Sequence, residues 1–284
     1  MSSLEAAVAQ APDQNLKFLF HDLSPTVRLI AHRPFVSYLY YLLWQFTAAK
    51  IALRAQSSEH FDLVQHVTMA TFRLPTFMWR LGIPLIFGPV GGGEDTPTKL
   101  RRGLGLRGRL WDIPRRLSNL LVAWDPLMRA TYAHSTQIVV TTYETLRQIP
   151  LPYRSQTRVQ PTIGMDLNKS RSSADPTSTT SLIAGSAKLN LLFAGRLLPW
   201  KGLHLGLKAI AALGSDIQHV HLTVVGSGSD EPRLKRLTHR LGIEQSVTWI
   251  SWMDRKDLIQ FYSQFNLFLF PACTTPVVWR SWKR

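Results

Sequence analysis

Short continuous apolar runs alternate with amphipathic ones along the last third of the chain. Asn190–Ala194, His221–Val225, Val247–Ile250 and Leu267–Phe270 have strand length and few polar interruptions, whereas Leu203–Leu213, Glu231–Leu241 and Arg255–Ser263 repeat their apolar residues at helical spacing. Such a β-α-β-α-β-α-β series predicts right-handed crossovers and a doubly wound parallel sheet. Nearer the start, Phe61–His66, Ile83–Val90 and Ile138–Thr142 read as buried strands separated by long stretches of helical pattern, again a parallel arrangement. The apolar stretch Phe35–Leu53 is interrupted by Ser37, Gln45, Thr47 and Lys50. It falls short of the ~20 apolar residues of a membrane span and predicts a packed or partly interfacial helix. From Lys169 to Ser186 the chain turns to Ser, Thr, Ala, Asp and Pro, the composition of a solvated linker or surface loop. The expected division is a first domain over 1–168, a linker over 169–187 and a second domain over 188–284, with no internal repeat.

Composition narrows the partners. With 284 residues and 45% apolar content the chain can bury a sizeable core, so disorder over its whole length is excluded. A net charge of +15 calls for an anionic partner or surface: nucleic acid, acidic lipid headgroups or a phosphorylated small molecule. The segment Lys99–Arg116 concentrates that charge, with Arg101, Arg102, Arg107, Arg109 and Arg115 against Asp112 alone, and Leu and Trp interleaved. The commonest origin of such a run is a solvated loop face; the sharper alternative is docking on anionic lipid. A single cysteine, Cys273, excludes an internal disulfide framework and a thiolate zinc site and fits a reducing cytosol. Met1–Pro12 has neither a basic start nor an apolar run, so no secretory signal is read, and the expected location is cytoplasmic, at most peripheral at the inner face of the membrane.

Ligands of doubly wound sheets lie beyond the carboxyl ends of the strands. The first strand of the second domain ends in Gly195-Arg196-Leu197-Leu198-Pro199-Trp200-Lys201-Gly202. That places a guanidinium and an ammonium around a helix entry. Arg offers a planar fork to phosphate oxygens, Lys a compact point charge, and the helix its free N–H groups, so a diphosphate suits the site. Without the flanking glycines, two ordinary surface charges near a turn would be the better reading. The next strand ends in Gly226-Ser227-Gly228, where glycine lets backbone approach a ligand or simply permits a tight turn.

Taken together, G-R-L-L-P-W-K-G-L at 195–203, V-V-G-S-G at 224–228, R-L-G-I-E-Q-S-V at 240–247 and F-N-L-F-L-F-P at 265–271 resemble the donor domain of the group 1 retaining glycosyltransferases. The resemblance covers Leu189–Pro271 and implies the GT-B fold, two Rossmann-like doubly wound domains, both incomplete in this chain. It implies that Arg196 and Lys201 hold the departing diphosphate of a nucleotide-diphosphate sugar, and that Gly195, Gly226 and Gly228 border the nucleotide. It also implies no metal and no cofactor, the two cations supplying the charge a metal would give. Ser251 departs from the family's glycine, which bears on nucleotide packing near Trp249 and Trp252.

The first part of the chain resembles the acceptor domain more loosely, through Asp62-Leu63-Val64-Gln65-His66 and Gly88-Pro89-Val90-Gly91-Gly92-Gly93. By that resemblance His66 contacts the acceptor or sugar, although a lone histidine at a strand end is about as often a structural hydrogen-bonding residue. Gly91, Gly92 and Gly93 either cradle phosphate or permit a turn. The resemblance further implies that both ends are incomplete and that a donor-binding motif of two acids with glycines between them should follow Pro271. Codons exist for Ala272–Arg284 whose shifted frame reads L-H-D-S-G-G-M-A-V-L-E-A, which is that motif, so a single-base deletion after the Pro271 codon is expected. The nucleotide sequence across that codon decides it. The chain as written is expected to be poorly soluble and inactive.

Three functions stand against one another: transfer of a sugar, of hexosyl type, from a nucleotide-diphosphate donor to a sugar, lipid-linked sugar or polysaccharide acceptor with retention of configuration; a nucleotide-sugar-binding remnant without turnover; and a basic protein bound nonspecifically to membrane or nucleic acid. The first explains the glycine turns and the cation pair together, with no specific nucleic acid as partner. A glycoside hydrolase is disfavoured because only Glu94-Asp95 offers a candidate carboxylate pair.

Overall fold

The structure, a computed structural model, describes residues 17–24, 34–67, 69–161 and 188–273. The proposed linker and the tail after Cys273, where the shifted frame would begin to matter, lie outside the described residues. Two four-stranded parallel sheets form the frame of two Rossmann-like units, as expected for the GT-B fold.

In the second unit, β5 (Leu189–Ala194), β6 (Val220–Val225), β7 (Val247–Ile250) and β8 (Leu267–Phe268) lie in the order β7-β6-β5-β8. The order reverses between β5 and β8, which opens a crevice at the carboxyl edge there. The apolar runs of β5 and β6 are buried as pairs, Leu191 with Leu222 and Phe193 with Val224, and join Leu203, Leu207, Ile210, Leu234 and Leu237 in one core. The intervening helices, here α5 (Leu203–Ala211), α6 (Glu231–Leu241) and α7 (Arg255–Phe261), follow the expected order. α6 shows why its bounds are so definite. Pro232 sits in its first turn, a Glu231–Lys235 ion pair of 2.8 Å lies one turn apart, and Gly242 at φ 67° ends the helix in the left-handed region that favours glycine.

The first unit carries β1 (Val64–His66), β2 (Leu85–Val90), β3 (Gln137–Val140) and β4 (Thr157–Val159) in the order β1-β2-β3-β4. β1 is shorter than the expected Phe61–His66 because Phe61 and Leu63 are exposed, and β4 was not expected. The apolar stretch near the start is a helix, α1 (Pro34–Ser58), packed through Tyr41, Gln45 and Ala49. The Tyr41 hydroxyl donates to the Pro75 carbonyl at 3.0 Å, and Gln45 accepts from Thr76 at 3.2 Å. Among the described residues no helix is long and apolar enough to cross a membrane. Beneath the sheet, Phe72, Phe87, Met128, Tyr132 and Ile138 form the core, and the Tyr132 hydroxyl donates to the Phe72 carbonyl at 2.5 Å.

The basic segment is a correction. Expected most simply as a loop face, Lys99–Arg116 is largely helical, in a turn at Thr98–Arg101 and in α2 (Gly105–Leu121), which continues through Pro114. Arg101, Arg115 and Arg116 all lie on Asp95, at 2.6, 3.1 and 3.5 Å, so part of the positive charge is neutralised within the unit. Two further helices, α3 (Pro126–His134) and α4 (Tyr143–Gln148), complete the crossovers to β3 and β4, capped by Asp125 and Thr142.

The start of α2 also reaches the second unit. Gly103, Gly105 and Gly108 bring bare backbone against His204, Arg233 and Pro199, and a Cβ on Gly103 would stand 2.5 Å from His204 Nε2. Arg233 Nη1 closes the contact by donating to the Gly103 carbonyl at 3.1 Å.

Candidate functional site

The carboxyl edge of the second sheet is built from two interlocked turns. Gly195 N–H donates to Val225 O at 2.9 Å and Gly226 N–H to Ile250 O at 2.8 Å, which prolongs the sheet ladder by one residue past β5 and β6. Beyond that point Leu197 N–H donates to Ser227 O at 2.9 Å, and Asp230 N–H to Leu197 O at 3.0 Å. The turns approach so closely that a Cβ on Gly226 would lie 2.1 Å from Gly195 O, and one on Gly228 2.3 Å from Leu197 O. Both glycines therefore serve turn-on-turn packing as well as any ligand approach. Leu197 is buried and anchors the first turn, while Arg196 beside it is exposed.

Lys201 ends the short helical turn Pro199–Lys201. The next residue, Gly202, has φ 73° and lies against the Pro271 carbonyl, 1.8 Å from where its Cβ would stand, so the end of β8 fixes the Lys201 backbone. Cys273 N–H donates to Trp200 O at 2.9 Å from the same side, and Lys201 Nζ lies 5.4 Å from the Phe270 ring centre. Among the described residues neither Arg196 nor Lys201 has an ion-pair or hydrogen-bond partner for its charged group. Two unneutralised cations thus flank the crevice, an arrangement whose electrostatic complement is a phosphate-bearing group. No cluster of three His, Cys, Asp or Glu that could hold a metal occurs among the described residues. Trp252, at the turn after β7, is largely exposed beside Ser251, whereas Trp249 packs on the core with Lys235 over its ring at 5.8 Å.

The residues named in the first unit are placed differently. His66 is 5% exposed and stacks on Phe87 with ring centres 5.5 Å apart, so its imidazole belongs to the packed interior. In the glycine run each amide is used internally: Gly91 N–H donates to Ala70 O at 2.8 Å, Gly92 N–H to Glu94 Oε2 at 3.0 Å, and Gly93 N–H to Thr145 Oγ1 at 3.2 Å. All three amides are thus engaged within the unit. Glu94 is its organiser, since Oε1 also accepts from Thr142 at 2.9 Å and Thr145 at 3.2 Å. Sequence reasoning passed over Glu94 except as a weak carboxylate, and passed over the Asp230–Arg233 pair, whose two contacts of 2.7 Å are signalled only by an i,i+3 spacing.

Residues 182–275 match the family described as glycosyl transferases group 1. No curated protein matches the chain in sequence. Solved structures share the fold at low identity. A glycosyltransferase from Rickettsia africae superposes with a TM-score of 0.54 at 13% identity, over 96% of this chain and 63% of its own. The Anabaena protein HepE in complex with UDP gives 0.52 at 14%, over 81% and 58%. The lipopolysaccharide outer core galactosyltransferase WaaB gives 0.50 at 12%, over 81% and 56%. The chain therefore spans roughly three fifths of the length of these similar structures.

Proposed function

We propose that the protein acts in sugar transfer: it binds a nucleotide-diphosphate sugar at the carboxyl edge of the second sheet and passes the sugar to an acceptor presented by the first unit, with retention of configuration. The observation that carries this reading is the pair of unpartnered cations, Arg196 and Lys201, held at the crevice by glycine turns within the segment that matches the group 1 family. Charge develops on the leaving diphosphate as the glycosidic bond breaks, and fixed cations placed there stabilise the transition state more than the ground state. HepE, of the same fold, is described in complex with UDP, which favours a uridine nucleotide as the first donor to try. The test is incubation of the protein with a panel of nucleotide-diphosphate sugars and simple sugar or lipid-linked acceptors, reading nucleotide release and the anomeric configuration of the product by NMR. Release with a retained anomer is the expected result; absence of both nucleotide binding and release across the panel would sink the reading.

The acceptor side of the proposal rests on α2. Leu110, Ile113, Leu117, Leu120, Leu121 and Trp124 recur at helical spacing and are each at least 53% exposed, on the most basic segment of the chain. An apolar stripe with arginines around it suits an anionic membrane surface, which would set the enzyme beside a membrane-bound acceptor. The protein is expected to co-sediment with vesicles containing phosphatidylglycerol. The double change Leu117→Asp, Leu120→Asp should weaken that binding by at least about a hundredfold, from the loss of about 1.5–3 kcal/mol per buried leucine. Equal binding by the variant and the parent chain would remove the membrane from the proposal.

A further inference from the structure

The start of α2 is fastened to the same connection that carries Arg196 and Lys201. At one end of that connection a Cβ on Gly108 would stand 3.0 Å from Pro199 Cβ, so helix backbone rests on the residue that opens the Lys201 turn. At the other end the contact runs through side chains. Arg233 Nη1 donates to Gly103 O at 3.1 Å, and Arg233 Nε and Nη2 hold the two Asp230 oxygens at 2.7 Å each. Asp230 N–H in turn donates to Leu197 O at 3.0 Å, next to Arg196.

Asp230 is not used as its place in the sequence suggests. It stands at the N-cap of α6, where an aspartate ordinarily accepts from the first free amides of the helix, as Asp125 and Asp254 do at theirs. Asp230 caps nothing and is 5% exposed; both its oxygens are given to Arg233. Taking a carboxylate out of water is offset only by a close and well-shaped partner, and a local rule broken in this way is characteristic of a functional position. The partner has to be arginine. A guanidinium spends Nε and Nη2 on the carboxylate and still has Nη1 for a carbonyl in the other unit, whereas an ammonium is a point charge without that geometry. Gly105, at φ 70°, passes along the arginine stem, where a Cβ would stand 3.4 Å from Arg233 Cδ.

We propose that Arg233 is a positioning residue for sugar transfer: held by Asp230, it fixes the first unit against the Gly195–Gly202 connection, and so sets the distance between the acceptor and the leaving diphosphate. The assignment rests on the reading of that connection as the donor site. In this role Arg233 touches neither donor nor acceptor. Its removal therefore leaves affinity for the nucleotide in place and lowers turnover, since reacting groups displaced by about 1 Å can lose about a hundredfold in rate.

The experiment uses the full chain and two variants. Arg233→Lys keeps a charge on Asp230 and removes the fork. The double variant Asp230→Ser, Arg233→Met removes both charges together, restores a capping hydroxyl to α6 and keeps an apolar stem; it leaves no buried ion unpaired and should fold like the parent. Isothermal titration with UDP gives affinity, UDP release from a UDP-sugar in the presence of acceptor gives kcat, and hydrogen exchange read by mass spectrometry over residues 102–110 reports on the seam. Both variants should bind UDP within about twofold of the parent, lose at least about tenfold in kcat, and exchange faster over 102–110. Transfer at the parent rate in either variant, affinity that falls in step with turnover, or unchanged exchange over 102–110 overturns the proposal. A parent chain that binds no UDP, or binds it without turnover, sinks the transfer reading instead; the exchange difference, measured without nucleotide, then leaves Arg233 as a structural tie alone.

Discussion

Replacing Arg196 or Lys201 by alanine should weaken binding of a nucleoside diphosphate by roughly 10- to 100-fold for each cation, the worth of a charge-assisted hydrogen bond of about 1.5–3 kcal/mol. The two residues belong to one short connection after β5, and neither charged group has a hydrogen-bond or ion-pair partner among the described residues. Removing either frees no buried partner, so the loss should appear in affinity while the denaturant midpoint stays where it was. Lys201→Met is the informative companion. It keeps the apolar stem beside Phe270 and discards only the charge, and should match Lys201→Ala in affinity if charge is what matters. Isothermal titration with UDP reads all of these; unchanged affinity in the double variant would show that the diphosphate is held elsewhere.

Gly226→Ala should be among the most destabilising single changes in the second unit. The residue sits at φ 135°, where an L side chain is strained, and its new Cβ would lie 2.1 Å from Gly195 O. Strain of about 1–3 kcal/mol and overpacking of a similar size put the loss at about 2–6 kcal/mol. Relief requires the two turns to part, which breaks the Leu197–Ser227 hydrogen bond and moves Arg196. Urea unfolding followed by tryptophan fluorescence should show the shift in midpoint. An alanine variant as stable as the parent chain would mean that the turns are not packed as described.

Legibility of the fold followed the strength of the local signals. α6 and β7 have the bounds that sequence alone suggests, since Pro232 opens the helix, Gly242 closes it and Val247–Ile250 has only Thr248 among its apolar residues. β4 escaped notice because Thr157, Arg158 and Val159 carry little apolar pattern; what makes them a strand is pairing with β3 at the sheet edge. α2 was obscured by its glycines and Pro114, although Leu110, Ile113 and Leu117 already had helical spacing. In the site, Arg196 and Lys201 were legible because a strand-to-helix turn fixes where neighbouring residues go. The use of the Gly91 and Gly93 amides was not, since their acceptors come from Ala70 and Thr145 on other elements. The setting of His204 was equally hidden, because the backbone that covers it belongs to the other unit.

At three places in the seam between the units the first unit offers bare main chain: Gly103, Gly105 and Gly108 touch the second unit without any side chain of their own. Contacts of this kind read shape and a main-chain carbonyl ahead of side-chain identity, so each half is free to drift in sequence as long as those three positions stay bare. In engineering terms the molecule comes with a built-in splice point. Halves drawn from different parents should join wherever the glycine spacing and its seat of His204, Arg233 and Pro199 are both retained.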